Sequence, residues 1–182
     1  MSPILGIMAS SISGSKAVTN SYSSIQTVTV GSGGASDVTF SSIPSTYTHL
    51  QIRGIAFQSS GPGGIGIQVS GDTGNNYTWH YVQGDGSSAT ASSATSNSNT
   101  YTGDVGTSTG PGAMILDILD YASTNKYKTF RSLAGYDANG SGKIALKSGV
   151  WMNTSTQINS IKIIGVTFAQ YSTFALYGIK GA

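Results

Sequence analysis

The sequence predicts an all-β domain, an antiparallel β-sandwich of jelly-roll type, on three observations. Apolar and polar residues alternate with a period of two through much of the chain, as at Met114, Leu116 and Ile118 or Ile161 and Ile163. Short clusters of Gly, Ser, Asn and Asp separate these runs at regular intervals, as turns do between strands. None of the seven acidic residues is Glu, and Ser, Thr, Tyr, Ile and the 25 Gly dominate, a balance that disfavours helix and suits strands with flexible connections. At 182 residues the chain has the length of one domain.

Residues 1–22 read as an N-terminal arm and linker, and 23–182 as the sandwich. Ile4, Leu5, Ile7 and Met8, with Ile12 beyond them, would stand exposed on a free tail. Burying such side chains is worth roughly 1.5–3 kcal/mol each, so they are expected to anchor the chain on a neighbour or a larger particle. Strands are expected at Ile25–Val30 and Asp37–Phe40, joined as a hairpin by Gly31-Ser-Gly-Gly34. Pro44 ends that pairing. In the next strand, Thr48–Phe57, Leu50, Ile52 and Ala56 share one face and Arg53, Ile55 and Phe57 the other. Ile65, Ile67 and Val69 alternate cleanly, and so do Tyr77, Trp79 and Tyr81 after the turn Gly71–Asn76.

Five more strands are expected between Ala113 and Ala182. Ile144 and Leu146 alternate there with Lys143 and Lys147, and Thr173–Ile179 closes the chain. The total is about ten strands, the number expected of a sandwich. Residues 84–112 differ. They are almost wholly Gly, Ser, Thr, Ala and Asn, too poor in apolar surface to order alone. They read as a long loop with at most one weak strand near Tyr101–Val105, at an exposed end or against a neighbouring copy.

Chemistry is sparse. A net charge of +2 gives no footprint for nucleic acid. Without Cys there is neither a disulfide nor a thiolate metal site. No apolar run reaches the ~20 residues of a membrane span, and the apolar start lacks the basic flank of a signal peptide. Gly61-Pro-Gly-Gly-Ile-Gly66 matches the dinucleotide pattern only formally, because a strand rather than a helix follows it. Asp137–Gly142 resembles the start of a calcium loop but lacks the closing Glu, and reads as a turn. His49 and His80 have no companion ligands. Asp117 and Asp120 fall on opposite faces of a strand, so they are poorly placed as a catalytic pair. No catalytic residue, metal or cofactor is expected. The aromatics Tyr77, Trp79, Tyr81 and Trp151 suit a core or subunit interface, with a sugar-stacking platform as the alternative.

Three blocks resemble a family of tailed-phage virion structural proteins, best represented among marine and freshwater phages. They are Ile4-Leu-Gly-Ile-Met-Ala-Ser-Ser-Ile-Ser-Gly14 with Tyr22–Val30, then Val38–Arg53, then the phrases Ile118–Tyr121, Lys126–Thr129, Gly135–Asp137 and Ser172–Gly181. Together they span most of the chain outside 84–112. The resemblance implies a non-enzymatic virion protein of the capsid-decoration, head-fibre or tail-appendage kind, assembled in the host cytoplasm. A capsid decoration or cement protein is the expectation. It would be a homotrimer that holds the major capsid protein or another virion protein, with no nucleic-acid or membrane partner. A carbohydrate-binding module of a tail fibre is the alternative.

Overall fold

The computed structural model describes residues 21–58, 60–107 and 109–181. They contain no helix and twelve strands: β1 (Tyr22–Thr29), β2 (Val38–Phe40), β3 (His49–Gln58), β4 (Gly63–Val69), β5 (Tyr77–Gly84), β6 (Ala89–Asn97), β7 (Thr100–Thr107), β8 (Gly112–Leu119), β9 (Lys128–Asp137), β10 (Gly142–Trp151), β11 (Ile161–Ile164) and β12 (Thr173–Ile179). The expected arm residues Ile4, Leu5, Ile7, Met8 and Ile12 lie outside the described residues.

The strands form two antiparallel ladders. The larger runs β1-β12-β3-β8-β9-β10-β5-β6, and the smaller runs β2-β11-β4-β7. β3 belongs to both. Its residues 50–56 pair with β8, and Phe57 and Gln58 then run parallel to Gly106 and Thr107 of β7. The twelve strands are thus one mixed sheet folded into a sandwich, with β7 lying across the inner faces of β8, β9 and β10. This is the all-β sandwich that the alternation predicts. The strand order by itself does not establish a jelly roll.

One side of each strand builds the core. Leu50, Ile52 and Ala56 of β3 meet Met114, Leu116 and Ile118 of β8, with Phe174 and Leu176 of β12 beside them. Ile65, Ile67 and Val69 of β4 and Ile161 and Ile163 of β11 close the opposite layer. Gly54 is the small member of the β3 row because a Cβ there would come within 2.6 Å of the Phe174 ring.

Three expectations are corrected. The Gly31–Gly34 turn forms, with Gly34 N–H donating to Gly31 O at 3.1 Å, but no hairpin flanks it. β1 pairs with β12 and β2 with β11, so the turn carries the chain from the large ladder to the small one. Second, 84–112 is not a loop, for it contains β6 and β7. β7 orders because β4 completes its ladder and because Thr100, Thr102, Asp104 and Val105 are buried against the opposite sheet. Those partners lie elsewhere in the chain, out of sight of the segment's own composition. β6, paired only with β5, keeps its exposed character. Third, β10 is inverted. A strand with a wet lysine face was expected, yet Lys147 is only 2% exposed while Ile144 and Leu146 face outward at 62% and 58%.

Candidate interaction surface

The inversion of β10 is one part of a larger pattern on the outer face of the large ladder. Registers align Arg53, Ile115, Leu133, Leu146 and Val82 in one row across β3, β8, β9, β10 and β5. A parallel row, two residues further along each strand, holds Ile55, Ala113, Gly135, Ile144 and Gly84. Ile55 is 56% exposed, Leu133 50% and Val82 49%, and Ile115 is exposed as well. Cross-strand neighbours of this kind lie about 4.5–5.5 Å apart, so Ile115, Leu133, Leu146 and Val82 stand side by side as an aliphatic band, with Ile55 and Ile144 next to it in the second row. The next row, Gln51, Asp117, Arg131, Ser148 and His80, is polar and bounds the band. Gln51 donates to Asp117 there at 2.7 Å.

The two aliphatic rows differ in height. Ile115, Leu133, Leu146 and Val82 stand tall, whereas Ala113, Gly135 and Gly84 are low. The result is an open trough of about 780 Å³, walled by Leu133 and Ile115 and closed at its far end by Pro111 and the β9–β10 turn. Asp85 and Asp137 stand exposed beside it. That turn is the one expected at Asp137–Gly142: Asn139 N–H donates to Asp137 Oδ1 at 2.9 Å, with Asn139 and Gly140 at positive φ.

Behind the same strands lies a buried ionic cluster that ties the two layers together. Asp104 of β7 receives Lys143 at 2.7 Å and Lys147 at 2.6 Å, both from β10, and Tyr101 OH donates to it at 2.7 Å. Lys147 also donates to Gly103 O at 3.1 Å and sits 3.2 Å from the centroid of the Tyr101 ring. Burial alone would raise the Asp104 carboxyl, but the two ammonium donors and Tyr101 hold it below the ordinary value. Burial pushes Lys147 down to about 8 despite its pairing, and the charge of Lys143 adds to that. Two ammonium groups share one carboxylate, so the deeper of them is the easier to neutralise. Burial, reinforced by Asp104, drives Tyr101 upward. Asp104 and Lys147 are shut off from solvent and join the two sheets, while Lys143, 22% exposed, also borders the trough.

The four aromatics singled out in the sequence do not form one platform. Tyr77 and Trp151 are fully buried, with ring centroids 6.5 Å apart. Trp151 Nε1–H donates to Asp72 Oδ2 at 2.7 Å. Tyr77 OH donates to Asp72 O at 2.9 Å and accepts the Val69 N–H at 3.0 Å, and burial pushes this hydroxyl up to about 12. Trp79 and Tyr81, half-buried, stack at 5.7 Å, and each meets the edge of Tyr101. Tyr77, Trp79 and Tyr81 project from the inner side of β5 and Trp151 from the inner side of β10, as core or interface aromatics do.

His49 Nδ1 accepts the Asp120 N–H at 3.0 Å, a structural contact at the end of β8. Among the described residues no three His or Asp side chains gather as metal ligands, and no helix is long and apolar enough to cross a membrane. Sequence reasoning missed the aliphatic band. Its signal was present in part: β3 and β8 carry branched aliphatics on both faces, which for antiparallel strands means that neither face is left simply to water. No family model matches this chain, and no curated protein matches it.

Proposed function

We propose that this chain is a non-enzymatic structural protein of a phage virion, a capsid decoration protein that works by adhesion. The observation that carries the adhesive reading is the aliphatic band across five strands of the large ladder. Monomeric soluble proteins rarely expose contiguous apolar surface on this scale, and such patches mark association sites. The phrase-level resemblance to virion proteins supports the setting. Copies pack through the band, around a three-fold axis, and the apolar residues near the N-terminus hold the assembly in place. Many weak contacts then combine into avidity.

The test is to identify the chain by mass spectrometry in purified particles of a phage that encodes it, and to locate its density on the head. A stoichiometric presence on the capsid lattice is expected. Absence from washed particles would sink the reading. The rival, a sugar-binding module on a tail appendage, draws on the half-buried Trp79–Tyr81 stack. A glycan array in which binding is lost with Trp79→Ala would favour it over decoration.

A further inference from the structure

The outer face of the large ladder is a ridge beside a trough, and its middle strand carries an opposite charge at either end of that pattern. Resting on the adhesive reading above, we propose that two copies of this chain pack face to face through the band, related by a two-fold axis that runs across the strands between the tall row and the low row.

The outward residues of β9 set the symmetry. In order they are Arg131, Leu133, Gly135 and Asp137. A half-turn about an axis passing between Leu133 and Gly135 lays Leu133 of one copy over Gly135 of the other, and Arg131 over Asp137. The same operation lays Ile115 over Ala113 on β8 and Val82 over Gly84 on β5, because the registers hold these residues in the same two rows. On three strands a tall side chain therefore enters the low row of the other copy. Ile144 is the exception, a tall residue in the low row. Sheets packed face to face keep their strands within about 30° of one another. That angle, pivoted at β9, offsets β10 of one copy from β10 of the other, so Ile144 and Leu146 lie side by side.

The charges select this two-fold. Arg131 and Asp137 are exposed, and neither has an ion-pair partner among the described residues. Six residues apart on one strand, they stand ~20 Å from each other and do not meet within a copy. The half-turn makes both pairs at once. A two-fold parallel to the strands through β9 would set Leu133 on Leu133 and Arg131 on Arg131, tall on tall and like on like. Residues 1–20 contain no acidic side chain, so that segment cannot supply a carboxylate to Arg131, whereas a second copy does. The other charges near the band are engaged within the chain. Lys143, which borders the trough, is held by Asp104 at 2.7 Å. Asp117 accepts from Gln51 at 2.7 Å, and Arg53 donates to Gln51 at 2.9 Å while lying over the rings of Tyr22 and Tyr177. Five strands at ~4.8 Å and four rows at ~6.8 Å make a face of roughly 24 by 27 Å, of the order of the ~800 Å² that each partner of a stable complex buries. The contact is isologous and closes on itself, and three such pairs set around a three-fold axis form a closed dihedral assembly.

Charge exchange tests the pairing. Full-length chains bearing Arg131→Asp or Asp137→Arg are prepared separately and their dimer dissociation constants measured by sedimentation velocity. Each variant opposes two like-charge pairs across the two-fold, and its dimer is expected to weaken about tenfold or more. An equimolar mixture of the two is expected to regain the parent's affinity, because every charge then meets its opposite. A chain carrying both substitutions is expected to regain it alone. Restoration on mixing is a readout that a change in folding does not produce. A monomeric parent, single variants that dimerise like the parent, or a mixture no tighter than its components would each overturn the proposal. So would an Arg131→Asp chain that dimerises more tightly than the parent, for then Arg131 faces its own copy. Restoration in a protein absent from virions would leave this inference standing and remove the virion reading. A chain that decorates capsids and shows no restoration would do the reverse.

Discussion

At the scale of single residues, Asp104 holds the most consequential position. Two lysines and a tyrosine converge on it from strands of both layers, and its side chain is fully shielded from solvent. Asp104→Ala strands Lys147 in the interior without its counter-charge. A loss of about 3–5 kcal/mol in unfolding free energy is expected from urea titration. Lys147→Met removes the buried ammonium while keeping its bulk, leaves Asp104 paired with Lys143, and is expected to cost less. The pH dependence follows from the same group. Lys147 in the fold releases its proton near 8, whereas an unfolded lysine keeps it to its ordinary value of 10.5. Between those values the unfolded chain binds the extra proton, so raising the pH through that window favours the fold. Tyr77 and Tyr101 act in the opposite sense above about 10, where only the unfolded chain readily loses their protons. Urea midpoints are therefore expected to rise from pH 7.5 towards pH 9.5 and then fall, and Lys147→Met is expected to abolish the rise.

Among the elements, β10 shows how much was legible from sequence and why the rest was not. Its existence and its turn to β9 follow from alternation and from Asp137–Gly142, although the strand runs on to Trp151, beyond the expected Lys143–Lys147. Its facing does not. A period of two fixes which residues share a side, and polarity is the usual guide to which side is wet. Here that guide fails, because the inward lysines find their carboxylate on β7, a strand whose composition hides it. The core faces of β3, β8, β11 and β12 were readable from their aliphatics alone, since no buried charge contradicts them. Likewise, the inner placement of Trp79 and Tyr81 depends on Tyr101 arriving from β7. β10 also approaches β7 closely at Gly149, where a Cβ would stand 1.9 Å from Thr100 Oγ1 and 2.9 Å from Thr78 O. Gly149→Ala is expected to cost about 1–3 kcal/mol in chemical denaturation, by prying the layers apart.

For the whole molecule, the band on the large ladder separates stability from association. Leu146 is more than half exposed, so Leu146→Asp should leave the unfolding midpoint within about 0.5 kcal/mol of the parent, the usual range for surface changes. Sedimentation velocity is expected to show loss of the oligomer at the same concentration. A variant that unfolds instead would place Leu146 in the core economy of the fold and count against the band as an interface.

β12 sits between β1 and β3, with Tyr22 opposite Ile179. β12 therefore unites the first described strand with the middle of the fold only once it has docked. Until then β1 has no neighbour, and β3 offers an open edge to any other nascent chain. Folding is therefore governed by long loop closures, slow by the standards of this size and prone to aggregation while it waits.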